Sequence, residues 1–201
     1  MTAGADDPIL ARSREVLVGE NDPVEIVAAD YDPAWPERFE RQRHRIERAL
    51  GARAIAIEHV GSTSVPGLAA KPIIDVCLVV ADSSDEAAYV PPLETAGYEL
   101  RVREPDWHEH RMLRTPEHDV HVHVFSAGSS EIDRMLVFRD RLRSHPGDRD
   151  LYESTKRELA QRDWPTRQHY ADAKTGVVAE IVHRATTTSR AVPGPSRTSE
   201  P

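Results

Sequence analysis

The stretch His59-Val60-Gly61-Ser62-Thr63-Ser64-Val65-Pro66-Gly67-Leu68-Ala69-Ala70-Lys71-Pro72-Ile73-Ile74-Asp75-Val76-Cys77-Leu78-Val79-Val80 decides how the rest of the chain is read. It opens as a polar Gly/Ser turn and closes as a nearly unbroken apolar run. Apolar residues at successive positions mark a strand buried on both faces, so 72–80 is expected in the interior of a sheet. Asp75 stands inside that run. A buried, ionised carboxylate is costly unless something opposes its charge. Asp75 therefore needs a partner: Lys71, Arg111 or a backbone N–H on one reading, a divalent cation on the other. Cys77, two residues on and on the same strand face, reads as a small packing residue.

Working outward, the flanking segments alternate between the two periods. Asp32-Pro33 is a helix start, followed by Trp35, Phe39, Ile46 and Leu50 at helical spacing and by Gly51 as a stop. Strands are expected over 54–60, 72–80, 98–103, 110–114 and 119–125, with Pro116-Glu117 turning the last two into a hairpin. A helix is expected over 85–96, interrupted by Pro91-Pro92. Beyond Gly128 the periodicity is helical over 130–143, 148–162 and 166–185. Residues 1–22 and 186–201 read as disordered tails. The division is thus a core over 23–128 and a helical part of the same domain over 129–185.

The composition narrows the function. The chain has 201 residues, 39% hydrophobic and 30% charged, with a formal net charge of −8. An acidic balance argues against a general binder of nucleic acid or of a membrane surface, because both need a dense basic face. It leaves room for a small basic pocket that takes a nucleotide. The single cysteine excludes an internal disulfide and fits a reducing, cytoplasmic setting. No stretch approaches the roughly 20 apolar residues of a membrane helix, and no leader pattern opens the chain.

Two constellations carry chemistry. Gly61-Ser62, at a strand end, offers backbone N–H groups and a hydroxyl to phosphate oxygens, although neither a P-loop nor a G-x-G-x-x-G run is present. The second is the histidine cluster: five of the ten histidines lie between 108 and 123. In a strand over 119–125, Asp119, His121 and His123 share one face and Val120, Val122 and Val124 the other. The valines belong to the core. The histidine face can bind Zn or Mn, or move protons. Arg139, Lys156 and Lys174, on the later helices, are candidates to reach a phosphate.

At these residues the sequence resembles the GrpB-like family, which is grouped with the nucleotidyltransferase superfamily. The resemblance is carried by the stretch 59–76, by Tyr31-Asp32 and Trp35, by Gly97-Tyr98, by His121-Val122-His123-Val124, by Phe138-Arg139-Asp140 and His145-Pro146, and by Tyr152, Lys156, Leu159 and Lys174. It spans roughly 25–185. It implies an α/β (α+β) fold, a nucleotidyltransferase-like mixed β-sheet with flanking helices and a helical C-terminal part. In some actinobacteria a similar domain is fused to dephospho-coenzyme A kinase, which makes that kinase an expected partner.

The superfamily uses Gly-Ser, about ten residues, an Asp-apolar-Asp/Glu pair and a third carboxylate from a later strand. The resemblance places Gly61, Ser62, Thr63, Ser64, Lys71, Arg139, Lys156 and Lys174 around the phosphates of an NTP, with Asp75 as the catalytic carboxylate. It also departs from that pattern, since Cys77 occupies the second carboxylate position and the third strand carries histidines. Asp75, His121 and His123, with His59 as a further candidate, would then hold one divalent metal, Mg, Mn or Zn, rather than two Mg ions. Three functions are compatible with this: metal-dependent nucleotidyl transfer from an NTP to an unknown acceptor, a non-catalytic module that binds a nucleotide or a partner, and a metal-dependent phosphoester hydrolase.

Overall fold

Helix α1 (Trp35–Leu50) begins two residues after the expected Asp32-Pro33 start, with Ala34 as its N-cap residue. The Asp32 carboxylate accepts the Ala34 N–H at 2.8 Å, and Gly51, at φ +56°, ends the helix in a conformation that favours glycine. Strand β1 (Ala56–Val60) leads through a 3₁₀ turn at Ser62–Ser64 into β2 (Ile74–Val80). Helix α2 (Glu86–Thr95) follows. It runs through Pro91 and Pro92 instead of breaking there. Pro92 has no N–H to give the Ala88 carbonyl one turn back, and Arg53 Nη1 donates to that oxygen at 2.7 Å.

The chain continues through β3 (Glu99–Glu104), β4 (His110–Arg114) and β5 (Val120–Ser126). Four helices complete it: α3 (Ser130–Ser144), α4 (Pro146–Ala160), α5 (Arg167–Ala173) and α6 (Thr175–Arg190). The single helix expected over 166–185 is two, because the chain turns at Lys174. Pro146 begins α4 rather than separating it, as its missing N–H is no loss in a first turn.

The five strands form one mixed sheet in the order β1-β2-β5-β4-β3. Strands β2 and β5 are parallel and every other pair is antiparallel. β2 is interior, as its apolar run requires. This is the expected mixed α/β architecture with flanking helices and a helical C-terminal part. In this computed structural model residues 16–18 and 28–190 are described. Most of the tails expected at 1–22 and 186–201 lies outside them, while α6 carries helix on to Arg190. Among the described residues no helix is long and apolar enough to cross a membrane.

Alternation gives the sheet two unlike faces. On one, Ile74, Val76, Leu78, Val80, Val120, Val122 and Val124 pack with Trp35, Phe39, Ile46, Tyr89 and Leu93 of α1 and α2. On the other, Cys77, Val79 and Phe125 pack with Val60 and with Ile132, Met135 and Leu136 of α3. A separate apolar cluster ties the β1–β2 connection to the helices: Val65 and Leu68, fully buried, meet Leu142, Tyr152 and Ile181.

Candidate functional site

The site sits on the α3 face, where β2 and β5 begin side by side. Parallel pairing sets Asp75 opposite His121 and Cys77 opposite His123. Both imidazoles therefore lean toward the carboxylate. His121 Nδ1 and His123 Nε2 each stand 3.6 Å from Asp75 Oδ1, and one ligand atom from each of the three side chains lies within 4.8 Å of the others. A separation of 3.6 Å is too long for a hydrogen bond. It is close to the ~3.4 Å between two ligands that share one tetrahedral ion. The donor set, one carboxylate and two imidazoles with room for further ligands, fits Zn or Mn better than Mg. Burial raises the Asp75 carboxyl, but the two imidazoles beside it, His121 and His123, outweigh burial and hold the group well below the usual carboxylate range.

Gly61 makes this placement possible. A Cβ built on Gly61 would lie 2.2 Å from Asp75 Oδ2, and the residue holds φ +67°. Only glycine meets both conditions.

The cluster opens into a cavity of about 370 Å³ that is also lined by Ser62, Thr63, Lys71, Lys156, Tyr170 and Lys174. Lys156, from α4, donates to Ser62 Oγ at 3.1 Å and to the Ala69 carbonyl at 2.5 Å. Burial, with the nearby Lys174 charge, pushes its amine down to about 7. Lys174 is also pushed down by burial, against the pull of Asp75, and its ammonium lies over the Tyr170 ring at 4.3 Å. The cavity thus pairs a cluster suited to a cation with amines suited to phosphate oxygens.

Several sequence candidates stand elsewhere. His59 is paired with Val76 across β1 and β2, so strand parity turns it to the face opposite Asp75. There it stacks on Phe39 at 4.6 Å and contacts Thr63 Oγ1 at 3.1 Å, and burial pushes it down to about 4. It is not among the three converging groups. Arg139 lines a separate groove and is held by Glu58 at 2.8 Å and by the His59 carbonyl at 3.1 Å. Ser64 is buried and donates to the Gly61 carbonyl at 2.6 Å, and Thr63 donates to the Ile73 carbonyl at 3.0 Å, so both brace the turn. Of the turn residues, Ser62 and Thr63 line the cavity. Asp119 accepts from Thr115 at 2.7 Å instead of joining His121 and His123. Arg111, a candidate partner for Asp75, binds Glu86 at 2.6 Å. Cys77 is fully buried among apolar side chains, which pushes its thiol up to about 12.

The sequence reading also missed residues. Tyr170 lines the cavity beside Lys174, four positions before it in the chain; that spacing is the signal available. Glu104 and His110, at the β3–β4 hairpin, contact the cluster from behind: His110 Nε2 lies 3.0 Å from His123 Nδ1, and His110 Nδ1 lies 2.8 Å from Glu104. Burial pushes the His110 imidazole down although Glu104 pulls it up. His110 was visible as a member of the histidine group, but nothing local paired it with His123.

Comparison with known proteins places the chain. It is 58% identical over 177 residues to a UPF0157 protein of Halalkalibacterium halodurans, covering 87% of this chain and 91% of that one. It is 31% identical over 166 residues to a dephospho-CoA kinase of Mycolicibacterium paratuberculosis, covering 70% of this chain and 40% of that protein. The crystal structure of the conserved protein GrpB from Enterococcus faecalis matches with a TM-score of 0.70 and 31% identity, over 82% of this chain and 99% of that one. A distant likeness to Cid1 poly(U) polymerase, with a TM-score of 0.43 and 11% identity over 82% of this chain and 51% of that one, says nothing of activity. A family model described as GrpB protein matches residues 23–184, nearly all of the described chain, and the protein belongs to that family.

Proposed function

We propose that the cavity binds a nucleoside triphosphate through one divalent cation held by Asp75, His121 and His123, and that the chain passes the nucleotidyl group to an acceptor. The observation that carries this reading is the convergence of the three ligand atoms, within 4.8 Å of one another, on a cavity that also presents Ser62, Lys71, Lys156 and Lys174. In the reaction the acceptor oxygen bonds to the α-phosphorus, the bond to pyrophosphate breaks and pyrophosphate leaves. A bound cation would neutralise charge on the phosphates. Ser62 and the backbone of its turn would bind phosphate oxygens. Lys156 and Lys174 would clamp the charge that moves to the leaving group. Asp75 is the carboxylate that anchors the arrangement.

A second reading has its own support. Cys77 fills the position of a second carboxylate and is fully buried in apolar packing, so one Asp stands where two-metal transfer uses a pair. On that reading the same cavity binds a nucleotide without turnover. Relatives named dephospho-CoA kinase add coenzyme A precursors to the candidate ligands and that kinase to the candidate partners.

Calorimetric titration of the four NTPs and of coenzyme A precursors, each with Mg²⁺, Mn²⁺, Zn²⁺ or no metal, tests both. Binding that requires the cation and is lost in Asp75→Asn is expected. Pyrophosphate release with an acceptor then separates transfer from storage, and phosphate release without one indicates hydrolysis. Absence of binding under every metal overturns the proposal.

A further inference from the structure

The cluster has an outer layer of side chains within hydrogen-bond distance of one another. Glu104 and His110 are cross-strand partners on β3 and β4. On the next pair, His123 faces Met112, which sets His110 diagonally beside His123. The His110 ring is fixed by its neighbours: it stacks on His123 at 5.2 Å and on Phe125 at 4.9 Å, with Trp107 edge-on at 5.3 Å.

A neutral imidazole has one donor nitrogen and one acceptor nitrogen, and a carboxylate only accepts. Glu104 therefore takes the hydrogen on His110 Nδ1, at 2.8 Å. A His123 that ligates through Nε2 carries its hydrogen on Nδ1, 3.0 Å from His110 Nε2, which is then the acceptor in that contact. The remaining nitrogen of His123, Nε2, then bears a lone pair aimed at Asp75 Oδ1, 3.6 Å away. Two acceptors so placed repel one another until a cation lies between them.

We propose that Glu104 and His110 are positioning residues that hold His123 in its Nδ1–H form, so that Nε2 is presented as a ligand for a divalent cation of the Zn²⁺ or Mn²⁺ kind. The inference rests on the single-cation reading above and adds to it two residues from outside the cavity. Ligating histidines characteristically donate their second ring N–H, and loss of the partner that receives it costs about 10–100-fold in metal affinity.

The test separates hydrogen bonding from packing. His110→Phe keeps a ring between His123 and Phe125 and removes the acceptor. His110→Gln gives up the ring and keeps an acceptor of similar reach. Zn²⁺ alone is titrated calorimetrically into the full chain and each variant, and Co²⁺ visible absorption is read alongside as a report on the ligand set. The expected order is wild type, then His110→Gln, then His110→Phe, with the last weaker by about 10–100-fold and its Co²⁺ bands shifted. The reverse order of the two variants, or wild-type affinity in His110→Phe, overturns the proposal while leaving the cation site intact. Should either His110 variant lose its folded circular-dichroism signature, Glu104→Gln, which still accepts from His110, is compared with Glu104→Leu, which cannot. Equal affinity in that pair overturns the proposal. A wild-type chain that binds none of Zn²⁺, Mn²⁺ and Co²⁺ fails one step earlier, at the single-cation reading itself.

Discussion

The two faces of the sheet are made by the same strands and do different work. Along β5, Val120, Val122 and Val124 are buried against α1 and α2, while His121 and His123 on the other side are only partly covered. Along β2, Ile74, Val76 and Leu78 join the same core while Asp75 turns toward the histidines. Burial on the first face supplies stability and asks only for volume and apolar character. The second face holds a carboxylate and imidazoles at 3.6 Å, where His123 is positioned by its contact with His110 and Asp75 by the space a missing Cβ leaves at Gly61. Parity keeps the site residues off the α1–α2 core, and on their own face they adjoin the smaller cluster of Cys77, Val79 and Phe125.

That separation can be broken experimentally, beginning with the largest effect. Leu78 is fully buried on the apolar face. Leu78→Ala is expected to cost about 2–5 kcal/mol in denaturant unfolding, with the Zn²⁺ affinity of the folded fraction unchanged. A parallel fall in affinity would show that the faces are coupled. Gly61→Ala joins the two effects, because the new Cβ meets Asp75 Oδ2 and sits at positive φ. A loss of about 1–3 kcal/mol is expected together with weakened cation binding, and a variant that keeps wild-type affinity would show that Asp75 has another way to reach the cluster.

The pH dependence sharpens the comparison at Lys156. Its folded value of about 7 lies below the roughly 10.4 of an unfolded lysine. Above pH 7 the folded chain has released a proton that the unfolded chain retains, so stability rises with pH across that window. The penalty for burying the charge is complete below pH 7 and gone above the unfolded value. The slope expected from this one group is at most about 1.4 kcal/mol per pH unit. Lys174, also pushed down by burial, contributes with the same sign. Thermal melts from pH 7 to 9 should rise in the wild type and rise less in Lys156→Met; identical slopes would remove Lys156 from this account. The smallest effect is at Cys77. Its buried thiol should ignore a disulfide-exchange reagent at pH 8, and Cys77→Ala should cost about 1 kcal/mol without altering cation binding. Fast labelling of the native chain would contradict its role as a packing residue.

What was readable in the sequence follows the range of the physical signal. The Val/His alternation of β5 is a local pattern and appears where expected, and the Asp32-Pro33 turn precedes α1 by one residue, Ala34. The cavity lysines were legible as residue types, through the family resemblance, although their distances to Ser62 and Tyr170 were not. The pairing of Asp75 with His121 depends on a parallel register between strands some 45 positions apart, and only the resemblance implied that they meet. His59 was misplaced because its face is fixed by register against β2, which no local pattern encodes. Glu104, and the pairing of His110 with His123, were hidden for a related reason. The hairpin between them turns through His108 and Glu109 at positive φ, which hides the alternation on either side. Arg139 looked like any basic helical residue until Glu58 and the His59 carbonyl captured it.

Val65 and Leu68 lie in the β1–β2 connection, yet their side chains belong to the cluster formed by Leu142, Tyr152 and Ile181. The glycine-serine turn is therefore propped from below by helices that follow the sheet in the chain. A ribosome releasing only the first 128 residues would have produced every strand and both chemical motifs, but not the support on which the turn rests. The cavity is complete only where α3, α4 and α6 pack against that turn.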